Sequence, residues 1–343
     1  MERTTVSGEP RSGKSTLLRA LGRTSPGAKH SHIVYSLPDE TLVRIAQAEG
    51  SAQVTPVKLS FEEVGGRSVA PIRESDCVVV VVRPEASQDA TQASKEGIGQ
   101  VYRWVDTAIL EDLSVIEGAI PRLKKIAAAG DRHVSVVVEA SQKLVSLLES
   151  QDIEAARNLA RDTSLIPKEW GLVISKPLIV IVNIDESLAT NAEKLQRLVA
   201  DKLAKVATAV IASPLEIEAG LAEIAEADAD TAAEMAAEFS IETPIATRLA
   251  SAVLRALGLI VFYTANDKEA RAWLLPEGST ALEAAGRIHS DMERGFIRAE
   301  VIPAKKLLEV GSLKEARRRG AVRLEGKSYV VRPEDVLFVR FNV

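Results

Sequence analysis

Eight residues near the N-terminus have the types and spacing of a phosphate-binding loop, G-x-x-x-x-G-K-S. The segment is Gly8-Glu9-Pro10-Arg11-Ser12-Gly13-Lys14-Ser15. Its glycines let backbone N–H groups turn toward phosphate oxygens, Lys14 would reach the β- and γ-phosphates, and Ser15 would hold Mg²⁺. The sequence therefore predicts a site for the phosphates of a purine nucleotide, formed by Gly8, Arg11, Ser12, Gly13, Lys14, Ser15 and Thr16.

A second polar group, Asn183-Ile184-Asp185-Glu186, directly follows an apolar segment in the middle of the chain. Parallel α/β sheets place ligand-binding residues at the carboxyl ends of their strands. A guanine-specific site wants Asn-Lys-x-Asp, so Ile184 and Glu186 depart from it and leave adenine and guanine both open. A polar strand end without a ligand is an equal alternative. The predicted base-binding residues are Asn183, Glu186, Ser213, Pro214 and Leu215.

Strand-like and helix-like segments around these residues indicate the fold class. Ser15–Leu21 has the pattern of a helix that opens directly after the glycine-rich loop. Cys77–Val82 contains five consecutive valines, which would be apolar on both faces of a strand, as in a parallel sheet covered by helices on each side. Because only 4% of the residues are aromatic, Val, Ile, Leu and Ala must build the cores. These features predict an α/β protein with a mostly parallel sheet.

Length and composition limit the remaining possibilities. A chain of 343 residues is long enough for two or three domains, and its net charge of −5 disfavours a surface that binds nucleic acid throughout. Cys77 is the only cysteine, so no intramolecular disulfide can form, and we expect it to be a buried strand residue. The first residues lack the apolar core of a signal peptide, and no apolar run approaches the roughly 18 residues of a membrane span. We expect a soluble, cytoplasmic protein with no membrane contact, and nothing demands more than a monomer.

Two regions interrupt or follow the α/β pattern. Residues 105–172 carry apolar residues at helical spacing on both sides of Gly130, which predicts two antiparallel helices joined there; two ordinary core helices are the alternative. Residues 216–242 hold nine carboxylates and no Lys or Arg, which predicts a solvated helical face. Residues 261–343 change to short strand-like runs and glycine turns, which predicts a separate α+β domain.

Several C-terminal segments allow a more specific comparison, because they are similar almost word for word to the TGS domain of one protein family. They are Phe262–Ala265, Lys268–Trp273, Ala284–Asp291, Gly295–Val301 and Arg340–Val343. With the order of the other parts, they make the chain resemble the YchF-type subfamily of Obg-related P-loop NTPases over nearly its whole length. The resemblance implies Mg²⁺ with ATP or GTP as cofactor, a preference for ATP from Asn183-x-x-Glu186, and association with the ribosome or ribosomal RNA.

The resemblance also implies a domain organisation. We expect a P-loop NTPase domain at 1–104 and 173–260, and an inserted antiparallel helical coiled-coil arm at 105–172. A C-terminal TGS domain with a β-grasp fold is expected at 261–343.

The departures from the family gather around the γ-phosphate. Arg23–His30 is a shortened replacement for the loop whose Thr completes Mg²⁺ coordination in the family. The family's Asp-x-x-Gly corresponds, ungapped, to Phe61 at the Asp position; a slip of one residue gives Glu62 and Gly65, so Glu62 is the candidate catalytic residue. Phosphoryl transfer depends on neutralising charge around Mg²⁺ and positioning water. We therefore expect nucleotide binding with weak or absent hydrolysis, so that the chain is a candidate ATPase or GTPase with degenerate switch motifs.

Two functional hypotheses follow. The first is a nucleotide-responsive switch whose arm and C-terminal domain report the nucleotide state to a ribosomal partner. The second is a nucleotide-independent ribosome- or RNA-binding adaptor that keeps the pocket as a scaffold. In either, Lys305, Lys306 and Arg317–Arg319 could meet RNA phosphates or form an ordinary solvated surface.

Overall fold

The chain folds into two units, each with its own six-stranded sheet. The computed structural model describes residues 2–22, 32–65, 69–85 and 89–342. Unit 1 comprises Met1–Tyr35 and Ser60–Ala256, and unit 2 comprises Ser36–Leu59 and Leu257–Val343. Among the helices of these described stretches, none combines the length and apolarity needed to cross a membrane.

The described residues form twelve strands, thirteen α-helices and four short 3₁₀ helices. The strands are Arg3–Ser7 (β1), His32–Ser36 (β2), Gln53–Thr55 (β3), Lys58–Glu63 (β4), Cys77–Val82 (β5), Leu178–Asn183 (β6), Ala209–Ser213 (β7), Leu259–Ala265 (β8), Glu269–Pro276 (β9), Phe296–Pro303 (β10), Arg323–Glu325 (β11) and Asp335–Phe341 (β12). The helices are Lys14–Leu21 (α1), Glu40–Glu49 (α2), Ala90–Ala128 (α3), Arg132–Glu149 (α4), Ile153–Arg161 (α5), Ala192–Leu203 (α6), Leu215–Ala225 (α7), Ala229–Glu238 (α8), Ile245–Ala256 (α9), Ala281–Ile288 (α10), Ser290–Arg294 (α11), Ala304–Val310 (α12) and Leu313–Arg318 (α13). The 3₁₀ helices are Ala70–Glu74, Lys168–Trp170, Val173–Ser175 and Glu186–Asn191.

The sheet of unit 1 has the strand order β2-β4-β1-β5-β6-β7. β1 pairs parallel to β4 and β5, β5 to β6, and β6 to β7. All six residues of β5 and of β6 are buried, Cys77 included, as the valine run predicts for strands covered on both faces. Because these strands are parallel, their carboxyl ends meet at one edge, where β1 leads into the glycine-rich loop. The predicted mixed α/β fold is therefore confirmed.

One long helix links the sheet of unit 1 to the helical region. α3 is 39 residues long, packs on α6 beside the sheet, and then pairs with α4 beyond a turn at Gly130, which has a left-handed φ of 101°. Residue 105, the predicted start of the insert, lies inside this helix. Apolar helical spacing alone could not show where α3 leaves the sheet, because the same apolar stripe of α3 first faces the sheet and then faces α4.

A buried carboxylate fastens the base of the helical region. Asp112 of α3 is fully buried and accepts hydrogen bonds from the backbone N–H groups of Val173 and Ile174, at 3.0 and 2.8 Å. The Arg73 guanidinium lies 3.5 Å from the same carboxylate and donates to the backbone carbonyl of Glu111. The segment after β4, helix α3 and the return of the chain to the sheet therefore share one polar network.

The sheet of unit 2 has the order β11-β10-β12-β8-β9-β3. Residues 36–59, which lie within the predicted N-terminal domain, contribute α2 and β3 to this unit. β3 extends the sheet by pairing parallel to β9, and the Tyr263 hydroxyl donates to Asp39, the N-cap of α2, at 2.9 Å. This pairing is a contact between segments more than two hundred residues apart, which local sequence patterns cannot reveal.

Candidate functional site

The predicted phosphate loop connects β1, which ends at Ser7, to α1, which begins at Lys14. Gly8 and Gly13 have φ values of 142° and 104°, a region that favours glycine. A Cβ atom on Gly8 would lie 2.3 Å from the carbonyl oxygen of Val81, and one on Gly13 would lie 2.3 Å from Nδ2 of Asn183. Both glycines are therefore needed for backbone conformation and for close approach of neighbouring elements.

The Lys14 side chain folds across the loop. It is 7% exposed, and its Nζ donates hydrogen bonds to the carbonyl oxygens of Gly8 and Glu9, both at 3.0 Å. An ammonium group has three donors, so these two bonds fix its position and leave a third donor for an anion. The N-terminus of α1 adds partial positive charge at the same place.

The Ser15 hydroxyl meets a carboxylate from the end of β4. Its Oγ donates to Oε2 of Glu63 at 2.8 Å. The register pairs Glu63 with Val6, next to the start of the loop. The carboxylate of Glu62, the candidate from sequence analysis, instead lies 3.8 Å from Arg3. Successive strand residues point to opposite faces, so a frame error of one residue exchanges the two glutamates.

A clue to Glu63 was present in the sequence. Glu63-Val64-Gly65-Gly66 has the same Glu-x-x-Gly spacing as the frame that begins at Glu62. Gly66, like Arg23–His30, lies outside the described residues. A hydroxyl and a carboxylate oxygen side by side are the ligand types that suit Mg²⁺, which binds a few protein oxygens and keeps several waters. The donor set of Ser15 and Glu63 therefore fits Mg²⁺ beside a bound phosphate.

Asn183 joins the phosphate loop to the loop after β7. Its Nδ2 donates to the backbone carbonyl of Ser12 at 3.0 Å, and its Oδ1 accepts from the backbone N–H of Leu215 at 3.4 Å. The side chain is buried, and both ends of its amide are engaged with the backbone. Its role in this geometry is to position the two loops. The Glu186 side chain is exposed and makes no hydrogen bond or ion pair with other described residues.

The junction of β7 and α7 uses its side chains for internal contacts. The Ser213 hydroxyl donates to Glu218 at 2.6 Å and accepts from Arg248 at 2.7 Å, and all three groups form a polar cluster under the loop. Leu215 is fully buried, and Pro214 is the N-cap residue of α7. The structure thus brings Ser213, Pro214 and Leu215 next to Asn183, but it directs the Ser213 hydroxyl into the protein. The sequence predicts a solvated face for the acidic run 216–242, but Glu218 within that run is buried.

Two further predicted residues border α1 and the loop. Thr16 Oγ1 lies 3.5 Å from Glu216, which also forms a 2.9 Å ion pair with Arg19. Arg11 has a left-handed φ of 65°, is exposed, and makes no ion pair with other described residues. Arg11 is therefore a cation within the loop that remains available to an anionic ligand.

A cavity of about 420 Å³ lies on the α3 side of the loop, between the ends of β1 and β5 and helix α3. Two contacts at this cavity tie the loop to neighbouring residues of α3. Arg103 Nε lies 3.2 Å from the Glu9 carboxylate, and Trp104 Nε1 donates to Ser7 Oγ at 3.0 Å. The phosphate loop therefore contacts the same helix that continues to the turn at Gly130. No cluster of three or more His, Cys, Asp or Glu able to hold a metal occurs within the ranges that the structure describes.

Comparisons with known proteins agree with this arrangement. A family profile described as "YchF-GTPase_C: Protein of unknown function (DUF933)" matches residues 259–342. The chain is 32% identical over 363 residues to the "Ribosome-binding ATPase YchF" of Pasteurella multocida (strain Pm70) and 29% identical over 369 residues to that of Bacillus subtilis (strain 168). Both alignments cover 98% of each chain.

The fold has a solved counterpart. The "Structure of the Schizosaccharomyces pombe YchF GTPase" superposes with a TM-score of 0.80 and 21% sequence identity, covering 99% of this chain and 97% of that chain. At this identity the match bears on the fold alone. The family resemblance inferred from the sequence motifs is confirmed by the alignments with the curated relatives.

Proposed function

Because the chain belongs to the YchF family, we propose that it is a nucleotide-binding, switch-like protein that associates with the ribosome. The proposed ligand is ATP or GTP with Mg²⁺, held at the loop Gly8–Ser15. The observation that carries the proposal is the geometry of this loop. Lys14 is fixed by two loop carbonyls beside the N-terminus of α1, and both glycines have conformations that the motif requires.

The proposed Mg²⁺ site consists of Ser15 and Glu63. Their 2.8 Å contact supports an arrangement in which the hydroxyl oxygen and the carboxylate face one ion together with phosphate oxygens and water. Bound Mg²⁺ would neutralise phosphate charge. Weak or absent hydrolysis remains part of the proposal, because the segment before β2 is a shortened replacement for the family loop whose Thr completes Mg²⁺ coordination, and the segment after β4 is short as well.

Base recognition is proposed to involve Glu186 and the backbone of the loop after β7. Asn183 would act by holding that loop against the phosphate loop. Ile184 stands where guanine-specific sites have Lys; its side chain is an uncharged hydrocarbon and is buried, so it offers the base no charge. These features support both ATP and GTP as candidates.

The proposed partner is the ribosome, since two relatives that align over 98% of this chain have the name "Ribosome-binding ATPase YchF". We further propose that unit 2 contains a TGS domain of β-grasp type at 261–343, that α3 and α4 form a coiled-coil arm within 105–172, and that the protein is a cytoplasmic monomer. In unit 2, most of the basic residues that could meet RNA phosphates have carboxylate partners. Arg318 and Arg319 contact Glu315, Lys306 contacts Glu309, and Arg317 contacts Glu300.

Lys14→Ala tests the proposed nucleotide site. Isothermal titration with ATP, GTP and ADP, each with and without Mg²⁺, should give binding to the unaltered protein that falls at least about a hundredfold in the variant, because a buried charge-assisted phosphate contact is lost. Lys194→Ala on the exposed face of α6 is the matched control. Equal nucleotide affinities of Lys14→Ala and the control would contradict the proposal.

Ribosome co-sedimentation of the same variants separates the two functional hypotheses. A switch should show ribosome binding that changes with Lys14→Ala or with added nucleotide. Ribosome binding that is identical in Lys14→Ala and in the unaltered protein would instead favour the nucleotide-independent adaptor.

A further inference from the structure

The far end of the α3–α4 pair extends beyond the buried core of unit 1. Ile116 is the last fully buried residue of α3, and Val137 is the first buried residue of α4. We call residues 117–136 the arm tip. The described structure has no buried residue in this stretch, and half-buried Leu123 and Val134 provide only part of its packing. The side chains on its outer surface therefore contribute little to a hydrophobic core.

The arm tip is basic although the whole chain has a net charge of −5. It carries four exposed cations against two carboxylates, namely Arg122, Lys124, Lys125 and Arg132 against Glu117 and Asp131. The Asp131 carboxylate is occupied as the N-cap of α4, where it accepts from the backbone N–H of Val134 at 3.1 Å. None of the four cations forms an ion pair with another described residue.

Helix electrostatics do not account for these charges. Lys125 lies in the last turn of α3, where a cation is favourable, but Arg122 and Lys124 precede that turn. Arg132 is the first residue of α4, where the helix dipole disfavours a cation. Arg122 and Lys125 are also three residues apart on α3, a spacing at which like charges repel. An anionic partner would offset both costs.

Lysine and arginine side chains bind the phosphate backbone of nucleic acids, and the proposed ribosome association favours RNA over an acidic protein as the anionic partner. Arg122 and Lys125 are three residues apart on one side of α3, which separates them by about 4.5 Å along the helix axis. Two cations on one side of a helix can contact neighbouring phosphates of one nucleic-acid strand. Exposed Ile126 and Val136 lie between or beside the charged positions and offer apolar contact to sugars and unstacked bases.

We propose that the arm tip is an RNA-binding surface that contacts the phosphate backbone through Arg122, Lys124, Lys125 and Arg132. The inference rests on the proposed ribosome association for the choice of RNA as the partner. The contact itself requires neither bound nucleotide nor hydrolysis.

Two double variants of the full-length protein test this surface. Arg122→Gln/Lys125→Gln and Lys124→Gln/Arg132→Gln each remove two positive charges, and Lys194→Gln/Lys202→Gln removes two exposed charges from α6 as the matched control. The probes are a single-stranded RNA of defined sequence, an RNA hairpin, and poly-glutamate as an acidic polypeptide. The affinity of each variant for each probe is measured by fluorescence anisotropy at salt concentrations from about 50 to about 200 mM, a range that includes physiological ionic strength. Circular dichroism checks that the helices persist in the variants.

The expected result is that each tip pair weakens RNA binding about tenfold or more at about 0.1 M salt and reduces the salt slope by about 1.4 for single-stranded RNA. The control pair should leave both quantities unchanged. Equal losses in tip and control variants would mean a non-specific charge effect and would overturn the proposal. Tighter binding of poly-glutamate than of RNA, lost in the tip variants, would assign the surface to an acidic protein and would also overturn it.

Nucleotide titrations on the same variants keep this proposal separate from the proposed function. Normal ATP or GTP binding with unchanged RNA affinity in the tip variants would refute the arm-tip proposal alone. Absent nucleotide binding in the unaltered protein, together with RNA binding that depends on the tip, would refute the nucleotide proposal alone.

Discussion

Glu63 is the residue whose position most changes the chemical interpretation of the site. The sequence permits two frames for Glu-x-x-Gly, and only the β1–β4 register decides which carboxylate reaches Ser15. The glycines and the lysine could be predicted from the motif, because their roles depend on backbone geometry within a few residues. The direction of a side chain at a strand end depends on pairing with another strand, which the motif does not contain.

Glu63→Gln is expected to reduce the Mg²⁺-dependent part of nucleotide affinity by about tenfold, since it removes the carboxylate charge but keeps the shape of the side chain. Nucleotide binding without Mg²⁺ should stay the same or become slightly tighter, because one negative charge near the phosphates is lost. Titrations with and without Mg²⁺ measure both quantities. Glu62→Gln is the control, and a loss of Mg²⁺ dependence in that variant but not in Glu63→Gln would contradict the assignment.

Ser213 is a second residue whose side-chain contacts could not be predicted from the sequence. Its place at the end of β7 could be predicted from the strand pattern, and the structure pairs it with Asn183 at the end of β6. Its hydroxyl nevertheless belongs to the cluster with Glu218 and Arg248. Arg248 lies thirty residues beyond Glu218 on α9, and nothing in the local sequence links it to Ser213.

At the scale of elements, α3 is one continuous helix that packs beside the sheet, contacts the phosphate loop and then pairs with α4. Its apolar periodicity made a helix predictable, but it did not show where the helix leaves the sheet. The physical marker of that boundary is Asp112, a buried carboxylate held by the backbone of Val173 and Ile174. Polar residues within an apolar stripe were the available signal for it.

Asp112 should make stability depend on pH at the base of the helical region. Burial raises its pKa to about 6, and the hydrogen bonds from Ile174 and Val173 and the charges of Arg73 and Lys176 oppose that rise only in part. The pKa in the unfolded chain is about 3.9, so the folded state holds an extra proton between these values. The free energy of unfolding should therefore fall by up to about 3 kcal/mol as pH rises from about 4 to 6.

The measurement is urea unfolding at several pH values for the unaltered protein, Asp112→Asn and Asp106→Asn. Asp112→Asn should lack the decrease between about pH 4 and 6. The exposed Asp106, on the same helix, provides the control, and Asp106→Asn should retain the decrease. Parallel pH profiles for Asp112→Asn and the unaltered protein would show that Asp112 does not titrate in this range.

At the scale of the whole molecule, unit 2 is built from two separated stretches of the chain. The C-terminal stretch could be recognised from its motifs, but residues 36–59 could not be assigned to it. α2 buries Leu42 and Ile45 completely, and β3 covers the edge of β9. These contacts join segments far apart in sequence, and their local patterns are those of any amphipathic helix and short strand.

A fragment of residues 257–343 should therefore be less stable than a single chain in which residues 36–59 are joined to it by a flexible linker. Burial of Leu42 and Ile45 alone is worth about 3–6 kcal/mol by the usual value for such side chains. Urea unfolding of the two fragments measures the difference. A linked version with Leu42→Ala and Ile45→Ala controls for the linker, and equal stability of the fragment and the unaltered linked version would contradict the expectation.

The interleaving of the two units also has a consequence for biosynthesis. Residues 36–59 leave the translating ribosome about two hundred residues before the strands they pair with, which corresponds to roughly 10–40 s at ordinary elongation rates. During that interval the apolar face of α2 lacks its final partners, and unit 2 cannot be completed until β12 has been synthesised. The nascent chain therefore has to keep this early segment from misfolding or aggregating, and chaperone dependence during synthesis should be concentrated there.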